Sequence, residues 1–359
     1  MMQALPAMVV DVPLLRWNMD TILRRCREWN ISPVAVTKGC LADPVLIETL
    51  WKQGFRSFAD ANFKSLLSLR KRYGMTAQLQ LIRLPMKREL KEIVETGIIP
   101  HLSHVEVLNE INELAGKKGK KAQVFLTVEG GDGREGFLPD ELIDVAKFRN
   151  NWAHIKIIGM SLSLACLSGV LPDREVLYHL LTWRDELSRR MEEPSLLLSV
   201  GGSTFLPLWE QGHGIEGIHQ IRLGEAWLLG TDISRKKCFS WLKQGAFTLQ
   251  AEIVELRRKK VNDKEEKGFN AFGKVVESSS GSYRKRALLA VGAQDIDETQ
   301  LYLQEENAKI IGVTSNYLVL DVEDCAHNYQ PGEVMEFEAG YGTVMRAYLS
   351  PFMNRVYHY

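Results

Sequence analysis

A lysine stands directly behind the first short apolar run of the chain, where Val34-Ala35-Val36-Thr37 leads into Lys38. At the carboxyl end of a parallel strand such a lysine points into the mouth of a site. Partial desolvation there lowers its pKa and makes the neutral amine a nucleophile. A snorkelling lysine at a strand end is the plain alternative. Further along, Ser199-Val200-Gly201-Gly202-Ser203-Thr204 closes another apolar run. Two glycines let the backbone turn tightly while its N–H groups converge, and Ser203 and Thr204 add hydroxyls, which together make a phosphate cradle. An ordinary helix cap explains the same four residues equally well. Arg222-Leu223-Gly224-Glu225 supplies a second strand-to-helix turn with a glycine. A lysine opposite a phosphate cradle is the pair of parts that a pyridoxal phosphate site requires: the lysine forms the Schiff base and the cradle holds the phosphate.

These residues need a frame of strands. Short apolar runs read as strands at 34–37, 57–59, 78–82, 98–101, 122–128, 154–160, 195–200 and 220–222. Helix-period segments at 44–53, 62–73, 105–117 and 174–191 alternate with them. Strands separated by helices of this length imply parallel pairing through crossovers. Eight of them predict a TIM-type (β/α)8 barrel, whose phosphate sites lie after the seventh and eighth strands. No G-x-G-x-x-G follows the first strand, which disfavours a doubly wound open sheet. Past Gly245 the pattern turns to short alternating runs at 248–256, 287–291, 309–313, 317–322, 334–337 and 343–349. Turn-rich tracts such as Glu277–Ser282 separate them, so a C-terminal β domain is expected. The expected division is a barrel over 1–240 and a β domain over 241–359, with the opening strand at Val9, ahead of those eight, a candidate for joining the latter.

Composition narrows the class of protein. Among 359 residues, 45 basic and 45 acidic side chains cancel, which argues against binding to nucleic acid or a membrane surface through bulk charge. The clusters Lys117–Lys121 and Arg257–Lys260 lack interleaved aromatics and read as solvated turns. Five dispersed cysteines form no C-x-x-C pair, and neither a signal peptide nor an apolar run of membrane-spanning length is evident. A cytoplasmic protein is the expectation. Cys325 and His327 lie close together, but no other ligand pair accompanies them and no metal is expected.

Val36-Thr37-Lys38-Gly39, Gly131-Asp132-Gly133-Arg134-Glu135-Gly136, Gly201-Gly202-Ser203-Thr204 and Arg222-Leu223-Gly224-Glu225-Ala226 occur in the order found in alanine racemase-like, fold type III pyridoxal phosphate enzymes. The opening Val9–Asn18 also resembles that family's start. The resemblance spans nearly the whole chain and is closest to the ornithine racemase-like branch, where Asp43-Pro44, Ala271-Phe272-Gly273, Gln294-Asp295 and Ser350-Pro351 bear comparison. It implies an amino-acid racemase, with a basic substrate such as ornithine or lysine and a homodimer whose partner completes the site. A lyase or decarboxylase on the same scaffold, and a non-catalytic pyridoxal phosphate-binding protein, remain the alternatives.

The resemblance also implies roles. Lys38 is the Schiff-base lysine and a proton carrier at Cα, and Arg134 helps place the substrate carboxylate. Arg222 faces the pyridine nitrogen, where a permanent positive charge keeps that nitrogen unprotonated. Gly202, Ser203, Thr204, Gly224 and Glu225 hold the phosphate, and Tyr341 is an added phosphate ligand or, equally, a core tyrosine of the β domain. Three departures stand out. Ala293 replaces the tyrosine that serves alanine racemases as second base, and Ser163 and Ser203 stand where the ornithine branch carries asparagine. Cys166 is expected to be a buried structural thiol rather than part of the pocket lining.

Overall fold

The computed structural model describes residues 4–260, 268, 269, 273 and 283–359. The Glu277–Ser282 tract, the Lys264–Lys267 run and Ala271-Phe272 lie outside the described residues. The chain divides into two compact units, Leu14–Gln244 and Met1–Pro13 with Gly245–Tyr359.

The second of these units opens with β1 (Ala7–Asp11). The first is the barrel. Its strands are β2 (Ser32–Val36), β3 (Ser57–Asp60), β4 (Gln78–Leu81), β5 (Ile99–Leu102), β6 (Ala122–Val128), β7 (Ile155–Ser163), β8 (Leu197–Gly201) and β9 (Gln220–Leu223), closed into a ring. All eight pairings are parallel, and β9 returns to β2 with Val34 opposite Arg222 and Ala35 opposite Leu223. The fold is therefore the expected closed barrel. The expected helices Pro44–Gln53, Val105–Lys117 and Arg174–Met191 are present with those bounds. Their ends follow local chemistry: Asp43 caps the first by accepting from the N–H groups of Val45 and Leu46, and Asp173 caps the last through Val176.

Small apolar clusters pack the barrel: Val34, Val36 and Ala59 with Ile82, and Ile99, Phe125 and Ile158 with Leu197. A polar chain also crosses the interior. Gln80 donates from Nε2 to Gln220 Oε1 (3.0 Å), and its own Oε1 lies 3.2 Å from His101 Nε2. His101 Nδ1 meets Ser161 Oγ at 2.8 Å, and Thr127 Oγ1 follows at 3.2 Å. Burial, then the charge of Arg222, drives the His101 pKa well below its usual value, so the ring is neutral. Every member is paired, which lets buried polar groups sit there at low cost.

The β unit continues through β12 (Phe247–Lys260), β13 (Tyr283–Leu289), β14 (Leu301–Leu303), β15 (Lys309–Val313), β16 (Leu318–Asp321), β17 (Val334–Ala339) and β18 (Asn354–His358). Before it, β10 (Thr231–Asp232) and β11 (Lys237–Cys238) form a small hairpin of the barrel unit. The order β14-β17-β12-β13-β16-β15 is antiparallel throughout, while β1 pairs with β12 and lies parallel to β18. One expectation fails: 343–349 is not a strand but part of a helix, Tyr341–Leu349. Thr343, Val344, Ala347 and Tyr348 are among its buried residues, a spacing of three and four that suits a helical face better than alternation.

The basic clusters are surface ion pairs. Lys117 meets Glu113, Lys118 meets Glu95, Arg258 meets Glu323 and Lys259 meets Glu255. No helix among the described residues is long and apolar enough to cross a membrane.

Candidate active site

Ring closure is what brings the candidate residues together. Because β2 pairs with β9 and β9 with β8, Lys38 follows a strand that adjoins one cradle-bearing strand and lies one strand away from the other, although about 160 residues separate it from Gly201. The Trp227 indole seals this corner by donating to the Val36 carbonyl at 3.2 Å.

Lys38 opens a 3-10 turn, Lys38–Cys40. Its side chain is exposed, which corrects the expectation of a desolvated amine: the lysine lies two residues past the last strand position and outside the packed wall. Behind it, Thr37 Oγ1 donates to Asp60 Oδ2 at 2.6 Å, and Asn62 N–H donates to Asp60 Oδ1 at 2.6 Å. Burial pushes the Asp60 carboxyl up from its usual range, against the pull of these hydrogen bonds and of the Lys38 charge. Nothing in the sequence pattern singled out Asp60.

Arg222 is buried at 3% exposure. Its Nη1 donates to the Ser199 carbonyl (2.9 Å) and Ser199 Oγ (2.7 Å), and its Nη2 to the Leu162 carbonyl (2.9 Å) and Ser163 Oγ (2.8 Å). Four outer protons meet four neutral acceptors, which leaves Nε–H as the donor without a protein partner among the described residues. Burial brings this guanidinium down to about 10. Ser163, marked in the sequence only as a departure, is thus one of the oxygens that hold Arg222. Close approach explains one glycine as well: a Cβ on Gly201 would lie 2.2 Å from Arg222 Nη2 and 2.6 Å from Ser163 Oγ.

The cradle spans two adjacent loops. Gly202 has φ +103°, a conformation that favours glycine, and its N–H donates to the Arg222 carbonyl at 2.9 Å. Ser203 Oγ accepts from Ala226 N–H at 2.9 Å and so ties the loop after β8 to the Gly224–Glu225 turn after β9. The first N–H groups of each turn have no intrahelical partner. The Glu225 carboxyl is half-buried, and burial pushes it up to about 7.

Arg134 follows β6 in a loop organised by two carboxylates. Glu129 accepts from the N–H groups of Gly131 (2.6 Å), Gly133 (3.1 Å) and Arg134 (3.0 Å). Asp132, 3% exposed, accepts through Oδ1 from the N–H groups of Cys166, Leu167 and Ser168 and so staples this loop to the one after β7. The Arg134 side chain forms a two-point pair with Glu135; burial works against its charge, but that pair outweighs it and the pKa is raised. Cys166 is exposed rather than buried, in the loop after β7 that passes through Ala165 at φ +59°.

Tyr341 and Ala293 belong to the β unit. Tyr341 opens the Tyr341–Leu349 helix. Ala293 lies in a turn where its N–H donates to the Thr314 carbonyl at 2.9 Å, and Asp295 beside it is buried against Ser350 Oγ at 2.6 Å.

Residues 10–231 match the family model of the alanine racemase N-terminal domain. The chain is 30% identical to a lysine racemase of Thermotoga maritima over 98% of each protein. It is 28% identical to an ornithine racemase of Acetoanaerobium sticklandii over 98% of this chain and 99% of that one. Among solved structures, an alanine racemase from Bartonella henselae with covalently bound pyridoxal phosphate aligns over 99% of this chain and 100% of its own, with a TM-score of 0.76 and 18% identity. An alanine racemase from Clostridium difficile aligns over 100% and 97%, with a TM-score of 0.75 and 17% identity. With the matched segment running from the first strand through the cradle, and the likeness to the lysine racemase running end to end, this chain belongs to the alanine racemase family.

Proposed function

We propose that the protein is a pyridoxal phosphate-dependent racemase that interconverts the L and D forms of an amino acid with a basic side chain, ornithine or lysine. The observation that carries this reading is the meeting of Lys38, the two-loop cradle and buried Arg222 at the carboxyl ends of adjoining strands. The full-length likeness to lysine and ornithine racemases supports the substrate class.

The residues fit the cofactor. The Gly201-Gly202 turn leaves room that side chains would fill, the Ser203 hydroxyl proton has no acceptor among the described residues, and Arg222 keeps one donor in reserve. Bound through Lys38, pyridoxal phosphate supplies the electron-withdrawing ring that makes the substrate Cα–H acidic. Lys38 takes the proton from Cα on one face and returns it there. Arg222, permanently charged, opposes protonation of the ring nitrogen and so discourages transamination. Gly202, Ser203, Thr204, Gly224 and Glu225 hold the phosphate, and Arg134 steers the substrate carboxylate into place. Inversion also needs a proton on the opposite face, which Ala293 cannot provide. As in the family resemblance, a homodimer is part of this reading, and light scattering checks it.

Borohydride reduction followed by peptide mapping should tag Lys38; a tag on another lysine overturns the assignment. A panel of L-amino acids assayed for chirality should return D-ornithine or D-lysine. Solvent deuterium should enter Cα from either enantiomer, with Lys38→Ala abolishing both directions. Exchange with strict retention would overturn the racemase reading and leave the cofactor site standing.

A further inference from the structure

A basic side chain brings a second cation to the site, and a charge that leaves water needs an opposite charge to meet it. Several carboxylates at and just beyond the carboxyl ends of the barrel strands are committed inside the protein. Asp60 is buried and accepts from Thr37 and Asn62. Glu89 is held by both Nη groups of Arg83 and by the Met86 N–H. Glu225 accepts from Thr231 Oγ1 and from the Ile233 N–H. Glu129 uses both oxygens on backbone N–H groups of its own loop, and buried Asp132 accepts from those of the loop after β7.

Glu135 is the different case. Among the described residues its carboxylate accepts only from Arg134, through Nε and Nη2. The Glu135 side chain is 19% exposed and that of Arg134 35%, so both charges meet solvent from a sheltered position. Burial is the main influence on the Arg222 pKa, and the charges of Arg134 and Glu135 add smaller, opposite effects, which puts the pair within Coulombic reach of that guanidinium. The loop itself is closed at its base: Phe137 N–H donates to the Thr127 carbonyl (2.8 Å), and Glu129 N–H donates to the Phe137 carbonyl (2.9 Å). The spacing of the two charges is therefore set by the loop.

A two-point pair leaves both partners with capacity. The guanidinium keeps N–H groups on its far edge for a second carboxylate, and each carboxylate oxygen keeps a lone pair for a second donor. Arg134 and Glu135 thus present a cation and an anion side by side. That arrangement complements a ligand with a carboxylate at one end and an ammonium at the other. The substrate's α-amino group goes to the cofactor, so the ammonium in question is that of the side chain.

Resting on the substrate reading above, we propose that Glu135 is a specificity-determining residue whose carboxylate receives the distal ammonium of ornithine or lysine while Arg134 meets the substrate carboxylate. A neutral side chain of the same length gains nothing from Glu135.

The test measures binding rather than turnover. Full-length, cofactor-loaded protein is titrated with L-ornithine and with L-norvaline, which is ornithine without its δ-amino group. Dissociation constants are read from the absorbance of the cofactor. Wild type should bind ornithine about tenfold or more tightly than norvaline, as a hydrogen bond between charged groups allows. Glu135→Gln should reduce that preference to less than about threefold. Norvaline should bind this variant no more weakly than wild type, because the change touches only the contact with the side-chain ammonium. Glu135→Asp, which keeps the charge, should retain part of the preference. Circular dichroism checks folding; if Glu135→Gln is unfolded, Glu135→Ala carries the same expectation. An undiminished preference, or an equal loss of both ligands in a folded variant, would overturn the proposal while the wild-type preference upholds the substrate reading. A wild-type protein that does not prefer ornithine would overturn both.

Discussion

At the scale of single residues, the site is governed by buried charges and what faces them. Arg222 is surrounded by two carbonyls and two hydroxyls, with no carboxylate paired to it among the described residues. Arg222→Glu would set a carboxylate among those oxygens. The hydroxyls of Ser199 and Ser163 can rotate to donate, but the carbonyls of Ser199 and Leu162 cannot. The substitution should therefore cost about 3–5 kcal/mol of barrel stability, read as a lower midpoint of thermal unfolding. Arg222→Lys, which keeps the charge and reaches fewer acceptors, should cost less. Glu225 offers a test in pH. Burial holds its pKa near 7 in the folded chain against 4.5 for a free glutamate side chain, so the folded state keeps a proton that the unfolded chain releases first. Stability from this group is complete below about 4.5 and declines as pH rises to about 7, where it levels off. The full shift corresponds to about 3 kcal/mol, and partial exposure to water reduces that to about 1–2 kcal/mol. Glu225→Gln keeps Oε1, which makes both hydrogen bonds, and loses only the ionisation. Its unfolding midpoint should gain on wild type between pH 4.5 and 7; parallel curves would refute the assignment.

At the scale of elements, strand ends and loops are set by close approach. Gly201 ends β8 where a Cβ would collide with the Arg222 guanidinium. Gly201→Ala should displace Arg222 from Ser163 and Leu162 and cost about 1–3 kcal/mol through overpacking. The absorption spectrum of bound cofactor should change as well, while the β unit's own unfolding stays as it is. A spectrum and stability equal to wild type would mean that the Arg222 side chain is not held where its hydrogen bonds place it.

At the scale of the whole molecule, the strand nearest the N-terminus belongs with the chain's end. β18 pairs with β1 and with no other described strand, and β1 also pairs with β12. Deleting residues through Asp11 should release Asn354–His358 from its ladder. Hydrogen exchange should then find those amides unprotected, together with the β1-facing edge of β12 at Phe247–Gln250. Retained protection at 354–358 would show that the final strand has another support.

The succession of eight strands and the principal helices was readable along the chain because each follows from nearest-neighbour chemistry: apolar runs, caps and glycine turns. Lys38, Gly202, Arg222 and Gly224 were also readable, since each sits just inside or beyond the end of such a run. Other features arise only when distant segments meet. The Thr343–Leu349 stretch alternates well enough to pass for a strand, and its burial on one side makes it a helix. Asp60 behind Lys38, Ser163 against Arg222, Asp132 across two loops and Arg235 behind Thr204 take part in side-chain hydrogen bonds between residues 23 to 59 apart. A polar side chain in a sequence carries no mark of which acceptor it will face. Closure of the barrel, by setting β2 beside β9, decides that for the site and turns a scattered lysine, arginine and glycine pair into one surface.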